Sequence, residues 1–117
     1  MPSPSWSSAG PRWVDREAVL AALRECAALL AERCPAVRQV VLFGSYAGGR
    51  PTPRSDADIL IIIDDDHRAA GAQILDTARD AFLQAPVPVD VFLITAAQLE
   101  AGAGVAAALR DGSIRLV

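Results

Sequence analysis

Lysine is absent from this chain of 117 residues, histidine occurs once and cysteine only twice. Each scarcity closes a possibility. Cys26 and Cys34 cannot supply a disulfide framework, and on a single helix their spacing separates them by about 12 Å, too far for an unstrained bond. Reduced, buried thiols in a cytoplasmic protein are the reading this supports. With lysine missing, all eleven basic residues are arginines; against fourteen acidic residues they leave a net charge of −3 and a pI near 5.0. That balance argues against a sequence-independent grip on DNA or RNA. Long apolar runs are missing too. The longest, Ile59 to Ile63, falls far short of the roughly 20 residues a bilayer requires, so no membrane span is expected. The N-terminus has no positive stretch followed by an apolar one and does not read as a secretory signal. Residues 1–12, rich in Pro and Ser, read as a flexible leader.

What remains is globular material. Hydrophobic residues make up 52% and charged residues 21%, which excludes disorder overall. The length suits one domain, over residues 13–117, with a single core. From Asp15, an N-cap by type, Val19, Leu20, Leu23, Ala27 and Leu30 recur at three- and four-residue spacing. Arg16, Glu17, Arg24, Glu25 and Arg33 fall on the opposite side, and Pro35 ends the helix. Residues 37–43 (VRQVVLF) read as a strand that stops abruptly at Gly44-Ser45. A breaker-rich loop follows, Gly48-Gly49-Arg50-Pro51-Thr52-Pro53-Arg54. Residues 56–63 (DADILIII) form a second strand, apolar on both faces at its far end and so central in a covered sheet. Asp64, Asp65 and Asp66 close it and cap a helix over residues 67–84, with Ile74, Leu75, Ala78, Ala81 and Phe82 on its buried side. Residues 87–94 (VPVDVFLI) are a third strand. Thr95 to Gln98 is a capping-box pattern opening a last helical region interrupted at Gly102 and Gly104. Asp111-Gly112 is a turn, and residues 114–117 a short final strand. The fold class is α/β (α+β): a small mixed sheet with helices packed on it.

Three features carry chemistry. Gly44-Ser45 directly follows a strand; glycine lets backbone approach a phosphate closely, and Ser45 adds a hydroxyl donor. Taken alone, Gly-Ser is a common turn. Asp56 and Asp58 are two apart on a strand, so both carboxylates point to one face. At about 5 Å they repel by roughly 3 kcal/mol at an effective dielectric of 20, a penalty that a hard divalent cation with oxygen ligands removes. The bland alternative is a solvated strand end. Asp90 is the lone acid in an apolar strand, where unpaired burial is costly, so it lies at an open strand end or joins the other two carboxylates.

Other residues read more plainly. His67 sits in a polar turn and is expected to be solvated. Asp64 to Asp66 suit a helix N-terminus and lie about 20 Å along the strand from Asp56, too far for one shared site. Tyr46 reads as packing or a site wall, Trp13 tacks the leader onto the first helix, and Gly102-Ala103-Gly104 breaks a helix.

Together, strand, Gly-Ser, ten intervening residues, Asp-x-Asp, apolar strand, helix and a strand with a lone Asp resemble the nucleotidyltransferase superfamily. At this length the chain is similar to the minimal nucleotidyltransferase (MNT) group of the polymerase-beta-like, palm-like fold. The family pattern, roughly Gly-Ser-x-Ala-Arg-Gly then Ser-Asp-x-Asp, stands here as Gly44-Ser45-Tyr46-Ala47-Gly48-Gly49 and Ser55-Asp56-Ala57-Asp58. The likeness covers residues 36–117. One position departs from it: Gly48 replaces the family Arg, and Arg50 and Arg54 are the nearby candidates for the same phosphates.

The resemblance implies a site. Gly44 and Ser45 would bind the triphosphate of ATP. Asp56 and Asp58 would hold two Mg²⁺ (or Mn²⁺) ions, with Asp90 contributing to the metals and assisting the attacking hydroxyl. It implies transfer of a nucleoside monophosphate, AMP from ATP, to a hydroxyl. Larger relatives append a helical domain that helps hold the acceptor, and too few residues follow Asp90 for one, so a second protein is expected to supply the acceptor. By resemblance that partner is a helical HEPN toxin modified on a tyrosine, with this chain as antitoxin in a toxin–antitoxin system, as a homo- or hetero-oligomer. Two alternatives stand beside it. Gly48 favours a catalytically weak module that neutralises its partner by binding alone. A subunit acting on a small molecule such as an aminoglycoside is the other.

Overall fold

The computed structural model describes residues 16–44, 57–102 and 112–117. The leader, Asp15, Trp6, Trp13 and the loop holding Ser45, Tyr46, Gly48, Arg50, Arg54 and Asp56 lie outside the described residues, as do Gly104 and Asp111. The described chain runs α1 (Arg16–Arg33), β1 (Val37–Phe43), β2 (Ala57–Ile63), α2 (Gly71–Ala81), β3 (Val89–Thr95), α3 (Ala96–Ala101) and β4 (Ile114–Arg115). The sheet order is β3-β2-β1-β4, with β2 and β3 parallel and the other two pairings antiparallel. It is the mixed sheet with packed helices that the pattern anticipates, and β2, apolar on both faces, is central between β1 and β3.

Alternation along β2 divides the core. Ile59, Ile61 and Ile63 are fully buried on one face, against Leu23, Ala27 and Leu30 of α1 and Ile74 and Ala78 of α2. Every apolar position expected of α1 is buried, and Cys26 joins them. Both cysteines are free thiols. On the other face Val41, Leu60 and Ile62 form a smaller cluster with Phe43, Ile94 and Leu99. Burying each isoleucine stabilises by about 1.5–3 kcal/mol, so the helix-covered face supplies most of the sheet's stability.

The connection from β2 to β3 differs from the single helix expected over residues 67–84. It begins as a 3₁₀ stretch (Asp65–Ala70), becomes α-helical only from Gly71, and ends in a 3₁₀ turn (Phe82–Gln84). The apolar spacing explains where the α-helix starts: none of residues 65–70 is buried, so nothing holds that stretch to the helical period before Ile74. His67 is exposed, as expected.

The acidic triplet also acts differently from a helix cap. Asp64 makes no capping hydrogen bond and instead pairs with Arg38 at 3.3 Å. Arg38 is the extra residue of a bulge, since Val37 opposes Ile63 while Gln39 opposes Ile62. Asp65 Oδ1 accepts a hydrogen bond from the backbone N–H of Ala97 at 2.9 Å, so it serves α3, thirty-two residues on. The capping box is present as the sequence indicates. Thr95 Oγ1 accepts from the Gln98 N–H at 3.1 Å, and Gln98 Oε1 accepts from the Thr95 N–H at 2.9 Å. That exchange satisfies Thr95, the one buried polar side chain among the described residues. Gly102 caps the C-terminal end of α3, and the final strand is shorter than expected, only Ile114–Arg115.

Candidate functional site

The face of the sheet opposite α1 and α2 carries Asp58 and Asp90. Phe43 of β1 lies opposite Asp58 of β2, and Asp58 lies opposite Asp90 of β3. The three therefore form one row across three strands, at the end where β1 stops and β2 and β3 begin. Hydrogen-bonded strands lie about 4.8 Å apart, so neighbouring side chains in this row are in direct reach. Asp58 is half-buried and Asp90 exposed. Asp90 thus resolves both ways at once: it is at an open strand end, and it joins a second carboxylate.

Gly44 closes the third side. Its φ of +80° lies in the left-handed region that glycine adopts without strain. The turn this makes brings its Cα against the Asp58 side chain. A Cβ at position 44 would overlap Asp58 Oδ2 and stand 3.3 Å from its Cγ. Position 44 must therefore lack a side chain if that carboxylate is to lie where it does. Gly-Ser after the strand is more than a generic turn: its glycine makes room for the acid.

Of the residues proposed from sequence, the structure brings Gly44, Asp58 and Asp90 together; Ser45, Arg50, Arg54 and Asp56 lie outside the described residues. Sequence reasoning missed the aromatic wall. Phe43 and Phe92 pack with ring centroids 5.9 Å apart and planes at 52°, and Phe92 remains 49% exposed. The signal was available, because Phe92 is two residues past Asp90 and Phe43 immediately precedes Gly44. Beside Asp90 runs a groove of about 550 Å³, with Arg79, Phe82, Leu83, Pro88 and Phe92 along it.

The donor set bears on a metal. Among the described residues no group of three or more His, Cys, Asp or Glu side chains is placed to hold an ion. Asp58 and Asp90 supply two hard oxygen donors, which matches Mg²⁺, since that ion is commonly held by one or two carboxylates together with substrate phosphates.

Comparison with known proteins defines the class. Residues 23–110 match the nucleotidyltransferase domain family, and the chain belongs to that family. No curated protein sequence matches it. Among solved structures, a Sulfolobus solfataricus protein described as a nucleotidyltransferase superposes with a TM-score of 0.58 at 21% identity, over 74% of this chain and 75% of that one. A structure described as a toxin–antitoxin with AMP-PNP superposes with a TM-score of 0.53, also at 21% identity, over 80% of this chain and 72% of the other. At these identities the structural likeness speaks for the fold.

Proposed function

We propose that the protein transfers a nucleoside monophosphate, AMP from ATP, onto a hydroxyl of a partner protein. The observation that carries this reading is the pairing of Asp58 with Asp90 across β2 and β3, with Gly44 packed against Asp58, in a chain of the nucleotidyltransferase domain family. In the proposed reaction the acceptor oxygen forms a bond to the α-phosphorus while the bond from that phosphorus to the bridging oxygen breaks. Pyrophosphate leaves with the electron pair. Asp90, exposed at the strand end, takes the hydroxyl proton and releases it to water. Gly44 and Ser45 bind the triphosphate, with Arg50 and Arg54 as further phosphate contacts. Asp58, with Asp56 and Asp90, would hold Mg²⁺, which supplies charge neutralisation at the phosphates and Lewis acidity.

The partner in this reading is a helical HEPN toxin, its acceptor a tyrosine, and this chain is the antitoxin. The solved toxin–antitoxin relative with AMP-PNP, an ATP analogue, supports both the nucleotide and the biological setting. A second reading is favoured by Gly48, where the family pattern has Arg: a module that silences its partner by binding without transfer.

The test is label transfer from α-labelled ATP with Mg²⁺ in lysate of the source cell, run beside Asp58→Ala. A labelled protein band that is lost in the variant supports transfer to protein. Label on a small molecule replaces the acceptor class. Absence of label with a partner that still co-purifies favours the binding module. Melting gives an independent check. A triphosphate at 100 times its dissociation constant stabilises by about 2.7 kcal/mol, and an unchanged melt with Mg²⁺ and every nucleoside triphosphate would refute the nucleotide site.

A further inference from the structure

The edge of the sheet next to Asp90 has the geometry of a docking strand. β3 is terminal in the sheet order, and no described residue pairs with its outer side. The backbone N–H of Ala57 donates to the Pro88 carbonyl at 2.9 Å, which fixes how β3 is oriented. Residues 88, 90, 92 and 94 direct their backbone groups at β2, and by alternation Val89, Val91 and Leu93 direct theirs outward. Edge strands of this kind are usually blunted by a charge, a proline or a bulge. Here the proline is at position 88, before the strand proper, and the only charge along β3 is Asp90 itself. Past Asp90, Phe92 is half-exposed and Leu83, 76% exposed, stands at the adjoining groove.

We propose that the acceptor is an extended polypeptide segment that adds antiparallel to β3 as a fifth strand and carries its hydroxyl to Asp90. This rests on the transferase reading and specifies its substrate. Antiparallel addition is chosen because that ladder is the more stable per residue. In that arrangement Asp90, whose N–H and C=O face β2, occupies a non-hydrogen-bonded pair with the residue opposite. Such pairs have the closest side chains, with Cα atoms about 4.5 Å apart. A Ser, Thr or Tyr there, or a Tyr on the diagonal, has its hydroxyl in reach of the Asp90 carboxylate. The residue two positions earlier in the segment falls opposite Phe92, so an apolar side chain is selected there. The recognised pattern is apolar-x-hydroxyl, read N to C. A small-molecule acceptor uses neither the outward backbone groups nor Phe92.

The test uses the full chain and a set of short synthetic peptides, each with one hydroxyl residue and varied neighbours. They are offered with α-labelled ATP and Mg²⁺, and separately as ligands without nucleotide. Labelled peptides are expected to carry an apolar residue two before the hydroxyl, with Phe92→Ala weakening them about fivefold. N-methylation of either residue flanking the hydroxyl residue removes a ladder hydrogen bond and weakens binding by about fivefold or more, whereas N-methylation of the hydroxyl residue itself is tolerated. Hydrogen exchange without nucleotide is expected to show protection of the Val89, Val91 and Leu93 amides on peptide binding. Asp90→Asn is expected to bind the same peptides and fail to label them. Label on peptides without protection of those amides, or equal sensitivity to N-methylation at all three positions, overturns strand addition and leaves the transferase reading intact. Protection without label supports strand addition while counting against transfer. Neither label nor protection overturns the proposal.

Discussion

Replacing Gly44 with alanine should expose how closely the turn after β1 is bound to Asp58. Two penalties apply to that variant. A left-handed φ of +80° costs an alanine about 1–2 kcal/mol. The new Cβ also overlaps Asp58 Oδ2, so the carboxylate must leave its place. With about 1 kcal/mol for that displacement, the total loss of stability is about 2–3 kcal/mol, or a fall in melting temperature on the order of 10 °C for a domain of this size. The discriminating experiment is a double-mutant cycle in urea. In an Asp58→Ala background the overlap vanishes, so Gly44→Ala should then lose only the backbone part, about 1–2 kcal/mol. Gly44→Asn separates the two causes in another way. Asparagine tolerates the left-handed region but keeps a Cβ, so it should recover the backbone part of the lost stability while keeping the overlap with Asp58, without recovering Mg²⁺-dependent binding of the triphosphate. If Gly44→Ala costs the same with and without the Asp58 carboxylate, the contact between them plays no part and the reasoning about this site fails.

Further outcomes follow from other parts of the fold. Ile61→Ala, in the fully buried centre of β2, should destabilise by about 2–5 kcal/mol in chemical denaturation. Thr95→Ala removes the cap acceptor of α3 and should lower stability by about 1 kcal/mol, with faster amide exchange at Gln98. Burial, with a smaller contribution from Glu25, pushes the Cys26 thiol above its ordinary range. A raised thiol favours the folded state while it is protonated. Its contribution is therefore complete below the usual thiol range near 8.5, and should decline as pH rises through the raised value. Cys26→Ala should flatten that alkaline decline in urea titrations, and thiol reagents at neutral pH should modify the half-buried Cys34 before Cys26.

The parts of the fold legible in sequence were those where a period meets a boundary residue. α1 shows a helical apolar stripe that stops at Pro35, and β1 is a run of β-branched and apolar residues that stops at Gly44. The carboxylate pairing of Asp58 with Asp90 was accessible only as an option, because strand order and register come from pairing across the chain and leave no mark at either residue. The roles of Asp64 and Asp65 were hidden for a related reason. An acid after a strand and before a helix has a good local explanation, and the partners it found, Arg38 and the Ala97 N–H, are distant in sequence. The 3₁₀ start of the crossover was misjudged because residues 65–70 are polar or small, and a helix over them needed an apolar anchor that is not there. That no described residue pairs with the outer side of β3 is likewise a property of the whole sheet, which the run over residues 87–94 does not reveal.

The hydrogen bond from the Ala97 N–H to Asp65 also fixes a length. Asp65 follows β2 and Ala97 follows β3, so this contact latches the two parallel strands together at the end about 20 Å from the carboxylates. A slip of a single residue would carry Asp90 through to the helix-covered face and Val89 and Val91 out of it, so the buried face sets the register and the Asp65 contact adds to it at the far end. The latch acts as a remote alignment pin. Weakening it by Asp65→Ala touches no residue of the site, yet loosens the far end of the pairing that sets the two acids side by side.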